Sequence, residues 1–181
     1  MKDKSTDNQL MEMITKEDDQ VAFERLYFKY KNALVRFSYG YTFNQSRAEE
    51  MMQETFLKMY RARDRFDSNK SFRTWLWTIC KNTNLDYLEK DKKEVQFHDE
   101  NDILNLVDES LESALDQLIE EASRERLEAV IVALPLSQRE ALLLWMNDEL
   151  SFDEMAEILH KSSQAVKNLV HRAKENLRKN L

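Results

Sequence analysis

Apolar positions recur at helical spacing along most of the chain. Phe23, Leu26, Tyr27, Tyr30, Leu34 and Phe37 fall on one face of a helix expected from about Asp19 to Tyr41. A second helix, from Ser46 to about Arg63, would bury Met52, Phe56, Met59 and Tyr60. After the polar break Asp67-Ser68-Asn69-Lys70, a third places Phe72, Trp75, Leu76 and Ile79 on one side, and a fourth is expected from about Asn82 to Lys92. Trp77 is turned roughly 140° from Phe72, so it is the tryptophan expected to reach the surface while Trp75 joins the core.

The carboxyl-terminal part has its own pattern. A helix beginning near Ser110 or Leu118 runs to Leu134, where Pro135 stops it. Helices follow at about Ser137 to Met146, Phe152 to Leu159 and Ser163 to Lys179. Three Ser-x-x-Glu sequences, starting at Ser46, Ser137 and Ser151, fit capping boxes, in which side chains satisfy the free N–H groups of a first helical turn. The last two helices, joined through His160-Lys161-Ser162, have helix-turn-helix spacing. In the final helix Val166, Leu169, Val170, Ala173 and Leu177 turn inward, leaving Lys167, Asn168, His171, Arg172 and Lys174 outward, the layout of a helix that reads a major groove.

Composition narrows the fold class. One Gly (Gly40) and one Pro (Pro135) in 181 residues are too few for a protein rich in tight turns. The expectation is all-α: two small helical domains joined by an acidic linker, the second containing a helix-turn-helix. Residues 1–93 form the first, 94–118 the linker and 119–181 the second. No apolar run approaches a membrane span and Met1 to Gln9 is polar, so the chain is expected to be cytoplasmic and not membrane-inserted. Cys80 reads as a small buried hydrophobe.

The net charge of −7 conceals a strong asymmetry. Residues 94 to 123 hold ten acids and no Lys or Arg. Outside that stretch the chain is net positive, with ten cations against five acids from Lys58 to Lys93 and six against one from Lys161 to Lys179. Two basic surfaces flank an acidic connector. The connector could restrain those surfaces in the free protein, or it could be a passive tether.

Two blocks carry a family resemblance. The first runs from Ala22-Phe23-Glu24-Arg25-Leu26 through Ala48-Glu49-Glu50-Met51-Met52-Gln53-Glu54-Thr55-Phe56 to Ser71-Phe72-Arg73-Thr74-Trp75-Leu76-Trp77-Thr78-Ile79. The second runs from Ala133-Leu134-Pro135-Leu136-Ser137-Gln138-Arg139-Glu140 through Val166-Lys167-Asn168 to His171-Arg172-Ala173-Lys174. In order and separation they resemble regions 2 and 4 of the extracytoplasmic-function (ECF) sigma factors, subunits that direct bacterial RNA polymerase to promoters.

The resemblance implies an alternative sigma factor with core RNA polymerase and promoter DNA as partners and room for an anti-sigma factor. By it, Glu50, Gln53 and Glu54 dock on the polymerase, and Asp67, Ser68, Asn69 and Lys70 capture an unstacked base of the −10 element. Trp77 would help melt the strand, Arg61, Arg63, Arg65, Arg73 and Lys81 would contact phosphates, and Asn82 would read a base edge. Lys167, Asn168, His171, Arg172 and Lys174 would read the −35 element. The chain departs from the family at His160 and Lys161, where Gly and an apolar residue are usual. A non-Gly residue in that turn costs roughly 1 kcal/mol.

Other functions stay open on the residues alone. Glu50 and Glu54 could simply be solvated, with Glu54 pairing to Lys58 four residues on. A helical interaction protein or polymerase-binding regulator without DNA recognition would explain the acidity, but not the outward set on the last helix. A repressor with a ligand-binding first domain suits the first block poorly. Catalysis has no support: there is no Gly-rich phosphate loop and no nucleophile paired with a base, and His98, His160 and His171 are too scattered for a metal site. No cofactor and no small-molecule substrate are expected.

Overall fold

The computed structural model describes residues 6–94, 124–146 and 150–181. The acidic stretch 94–123, the proposed linker and the start of the helix expected from Ser110 or Leu118 lie outside or at the edge of these residues. Among the described residues there are eight α-helices and no strand: α1 (Asp7–Glu17), α2 (Gln20–Thr42), α3 (Gln45–Arg61), α4 (Phe72–Glu94), α5 (Arg124–Ala133), α6 (Leu136–Trp145), α7 (Phe152–Leu159) and α8 (Ser163–Asn180). A 3-10 turn, Arg63–Arg65, follows α3. The chain divides into two compact units, residues 1–38 with 46–99 and residues 39–45 with 100–181.

α1 was not expected from the polar start of the chain. Thr6 and Gln9 build a capping box there: the Thr6 hydroxyl accepts from the Gln9 N–H at 3.3 Å, and the Gln9 side chain accepts from the Thr6 N–H at 2.7 Å. Leu10, Met11 and Ile14 then bury the inner face of α1, which packs on α4 and the 3-10 turn.

In the first unit Leu26, Tyr30, Leu34 and Phe37 of α2 and Met52, Phe56 and Met59 of α3 are all 5% exposed or less, and the rings of Phe23 and Tyr27 on α2 pack against Phe56 on α3. Phe23, Tyr27 and Tyr60, expected in the core, are half-buried. The expected third and fourth helices are one continuous α4. Nothing interrupts it, since no Gly or Pro lies between Phe72 and Glu94.

The two tryptophans of α4 exchange their expected places. Trp77 is 2% exposed and meets the Phe37 ring edge-on at 5.2 Å, whereas Trp75 is half-buried. The cause is polar burial. The inner arc of α4 contains Thr74, Lys81, Thr83 and Asn84 as well as Phe72, Leu76, Trp77 and Cys80, all 8% exposed or less. Its centre is near Cys80, about 80° from Phe72 at the helical rotation of about 100° per residue. A wheel centred on Phe72 therefore points the wrong way.

Hydrogen bonds from the Asn84 amide nitrogen hold that side chain in the polar centre. The Asn84 amide donates to the Ser38 hydroxyl at 3.0 Å and to the Cys80 carbonyl at 2.9 Å. Burial pushes the Cys80 thiol up to about 12, against weaker opposing hydrogen bonds from Thr55, Ser38 and Asn84. The thiol is therefore protonated and shielded, a packing group.

The second unit is built on α8. Val166, Val170, Ala173 and Leu177 are at most 3% exposed, and α8 packs on α5, α6 and α7. Ile131, Leu134 and Leu142 complete one cluster with Ala173 and Leu177, flanked by Trp145 and Met146. Helix α6 starts at Leu136 with Pro135 as N-cap, so Ser137 lies inside the first turn and its expected capping box is not used. Ser46 is likewise one residue inside α3.

Candidate nucleic-acid interface

The Ser151 capping box does form. The Glu154 N–H donates to the Ser151 hydroxyl at 3.2 Å, and the Ser151 N–H donates to the Glu154 carboxylate at 2.8 Å. After α7, His160 takes the left-handed conformation (φ 52°, ψ 47°), and the Lys161 N–H reaches back to the Ala156 carbonyl at 3.0 Å. This closes α7 with the hydrogen bond that usually goes with Gly at such a position. Ser162 then caps α8, its hydroxyl accepting from the Ala165 N–H at 3.2 Å. A helix-turn-helix is thus fixed at every terminus facing the turn.

Its second helix presents a polar face. Lys167, Asn168, His171 and Arg172 are all exposed. Asn168 accepts a hydrogen bond from Gln164 at 3.1 Å, and His171 lies 3.6 Å from the Glu175 carboxylate. Gln164 and Glu175 therefore share the face, and neither was singled out from sequence. The i, i+4 spacing of Gln164, Asn168 and of His171, Glu175 was the available signal. Lys174 differs from expectation: its ammonium sits 3.3 Å from the centre of the Trp145 ring, half-buried. Burial, then the neighbouring Arg178, holds that ammonium below the ordinary lysine range. Lys174 is committed within the unit because Trp145 offers an aromatic face at its position.

In the first unit, the α3 positions Glu50, Gln53 and Glu54 line one groove of about 690 Å³ with Arg47, Lys58, Asp86 and Tyr87. Glu50 and Gln53 are exposed and Glu54 half-buried, and among the described residues none of the three side chains has a hydrogen bond or ion pair. Lys58 pairs with Asp86 at 3.0 Å rather than with Glu54. Leu57, 41% exposed, adds an apolar position to the same ridge. Two uncommitted carboxylates beside an exposed leucine suit a partner with cations around an apolar centre.

Asp67 to Lys70 form a tight turn, with the Lys70 N–H donating to the Asp67 carbonyl at 2.9 Å. The Asp67 carboxylate accepts from both the N–H and the side-chain amide of Asn69 at 3.0 Å. All four side chains are exposed. Beside the turn stand Phe66 and Trp75, their rings 5.1 Å apart and half-buried. Exposed Asn82 lies two turns beyond Trp75 on the same side of α4. A polar turn, two partly open aromatic rings and an exposed carboxamide make a surface on which unstacked bases can pack.

Other expected members are elsewhere. Trp77 and Lys81 belong to the buried arc of α4 and do not face this surface. Arg73 is half-buried and lies against the Tyr30 phenol, which burial and the Asp7 hydrogen bond hold well above its ordinary range. Arg63 stacks on Tyr60 at 4.3 Å and donates to the Tyr60 carbonyl, whereas Arg61 and Arg65 are exposed. Among the described residues no group of three His, Cys, Asp or Glu side chains could hold a metal ion.

The hydrogen bonds from Asn69 hold the Asp67 carboxyl below its ordinary value of 3.8, with Lys70 adding to them. A depressed carboxylate contributes stability above its unfolded pKa and loses it as pH falls through the folded value. The turn should therefore outlast the pH at which an ordinary aspartate is half-protonated. A carboxyl titration by NMR is expected to place Asp67 below 3.8. A midpoint at or above that value would mean that the Asn69 bonds do not form in solution.

Comparison with known proteins matches both units. Residues 26–94 match the family model described as Sigma-70 region 2, and residues 124–177 match Sigma-70, region 4. The ECF RNA polymerase sigma factor SigW of Bacillus subtilis (strain 168) is 31% identical over 172 residues, 92% of this chain and 92% of the relative. The ECF RNA polymerase sigma-E factor of Escherichia coli (strain K12) is 30% identical over 184 residues, covering 97% of this chain and 94% of the relative. Among solved structures, CnrH in complex with the cytosolic domain of CnrY superposes with a TM-score of 0.70 at 22% identity, over 96% of this chain and 95% of that one. The sigma factor RpoE, bound to the anti-sigma factor NepR from Bartonella quintana, gives 0.68 at 22% identity, over 87% and 94%. At those identities the two structures speak for the fold.

Proposed function

The chain belongs to the ECF RNA polymerase sigma factors, and from that membership we propose the surfaces through which it acts as an alternative sigma factor in transcription initiation. The observation that carries the reading is the capped helix-turn-helix whose second helix leaves Lys167, Asn168, His171 and Arg172 exposed. These side chains, joined by Gln164, enter the major groove of the −35 element. Arg suits guanine and Asn or Gln suits adenine, each through a bidentate pair.

In the first unit, the Glu50, Gln53 and Glu54 ridge docks on core RNA polymerase. The Asp67 to Lys70 turn takes an unstacked −10 base, with Phe66 and Trp75 as stacking surfaces and Asn82 as the reader of a base edge. Trp75 thereby takes the role first expected of Trp77. Core polymerase, promoter DNA and an anti-sigma factor are the partners, and the setting is the cytoplasm. Among the described residues no helix is long and apolar enough to cross a membrane. Chemistry is left to the polymerase, with no chemical step assigned to this chain.

Substitutions on α8 test the reading. Arg172→Ala or Asn168→Ala should cost about 1–3 kcal/mol on a preferred −35 sequence and relax the preference at one base pair. Lys167→Ala, if it removes a phosphate contact, should weaken all sequences alike and lower the slope of log affinity against log salt by roughly one. Holoenzyme binding to a set of −35 variants separates these patterns. Unchanged preference in both Arg172→Ala and Asn168→Ala would remove α8 as the reading helix.

A further inference from the structure

The first turn of α1 reaches across the first unit to the turn that precedes α4. The Asn8 side-chain amide donates to the Ser68 carbonyl at 3.0 Å and to the Lys70 carbonyl at 2.7 Å. The same group accepts from the Phe72 N–H at 2.9 Å. One carboxamide thus spends both donors and an acceptor on a segment at least 60 residues away in sequence. The network also sets the orientation of the amide, because the reversed placement would face oxygen to two carbonyls and NH2 to an N–H.

The base of this clip is itself held. Thr6 and Gln9 lock the turn through their capping box, and between them Asp7 takes the Lys29 ammonium at 2.7 Å and the Tyr30 hydroxyl. Asn8 is therefore presented from a fixed backbone. At the other end, Asp67 braces the turn from inside through Asn69. Ser68 and Lys70 are exposed residues, so water could satisfy their carbonyls without help. Asn8 satisfies the N–H of fully buried Phe72, and the consequence of its two bonds to Ser68 and Lys70 is to fix the shape of the turn.

We propose that Asn8 is a positioning residue for −10 recognition, clipping the Asp67 to Lys70 turn into the shape that takes the unstacked base. The inference rests on the reading of that turn as a base-capturing element. With the clip in place, the turn does not have to be ordered when the base arrives, and the binding free energy is not spent on that ordering. Two carbonyls fixed toward α1 also set the backbone from which the exposed side chains of Ser68, Asn69 and Lys70 project. The contribution is to selectivity more than to folding.

Asn8→Asp is the discriminating variant. It keeps the size and the acceptor for the Phe72 N–H while replacing both donors with a carboxylate aimed at two carbonyls. The full chain, assembled with core polymerase, is assayed on a promoter drawn from a randomised library by the wild-type holoenzyme. The template has an intact −35 element and a pre-melted −10 bubble, with each of the four bases placed in turn at the captured position. The readout is the ratio of binding to the preferred base over the others, which does not depend on the fraction of protein folded. Asn8→Asp should lower this ratio by up to about tenfold, since the free energy of the two hydrogen bonds bounds what a fixed turn can add to discrimination, with core assembly unchanged. Asn8→Ala should lower it too, by less. A preserved ratio in Asn8→Asp overturns the inference, whatever happens to stability. An Asn69→Ala, Lys70→Ala double variant separates the causes. If it changes the ratio while Asn8→Asp does not, only the clip is wrong; if neither does, the base-capture reading fails with it.

Discussion

Trp77→Ala will destabilise the first unit by about 3–5 kcal/mol, the range for removing a large aromatic side chain from a packed core. Trp77 is 2% exposed, and its edge-on contact with Phe37 links α2 and α4. Truncation leaves a cavity between two long helices, neither of which can close on it without moving its other contacts. Trp75→Ala should leave the fold close to wild type, because that ring is half-buried beside Phe66 at the rim. Its cost should appear in single-stranded −10 DNA binding, at about 1–3 kcal/mol for a lost stacking surface. Urea unfolding of the two variants, with strand binding measured on the same samples, checks both. Equal destabilisation by the two substitutions would mean that α4 is rotated from the orientation described.

The double variant Glu50→Lys, Glu54→Lys should lose about 2–5 kcal/mol of affinity for core polymerase, the range for disrupting charge pairs that become buried in an interface. That is roughly thirtyfold at the low end. Helical content and melting temperature should hold, because among the described residues neither carboxylate has an ion pair or hydrogen bond to lose. Sedimentation or pull-down with core polymerase gives the affinity, and circular dichroism on the same sample gives the fold. Wild-type affinity in the double variant would place polymerase docking elsewhere.

Much of the architecture is legible from local pattern. The Ser151-Phe152-Asp153-Glu154 signature marks the start of α7, and the apolar spacing from Val166 to Leu177 identifies the buried side of α8, because both rest on contacts within a few residues. His160 in the left-handed conformation follows from chain geometry at a helix end. The same capping rule over-reads Ser46 and Ser137, since Gln45 and Pro135-Leu136 begin those helices first. It also fits Thr6-Asp7-Asn8-Gln9, where a polar composition hides the helix that follows.

What escapes the sequence depends on distant or polar neighbours. The inner arc of α4 is set by Asn84 meeting Ser38, a bond across 46 residues that no hydrophobic wheel registers. Lys174 has a place on the outward face by spacing, but Trp145 takes it. Asn8 carries no motif at all. Its hydrogen bonds arise only when the turn before α4 folds back onto α1.

The most direct test of the central claim is transcription from a library of randomised upstream sequences by core RNA polymerase with and without this protein, with every start site mapped. The predicted result is a set of starts that appear only with the protein and share a two-part upstream sequence, whose distal part changes when Arg172→Ala replaces the wild type. Starts identical to those of core polymerase alone, or protein-dependent starts with no common upstream sequence, would contradict it.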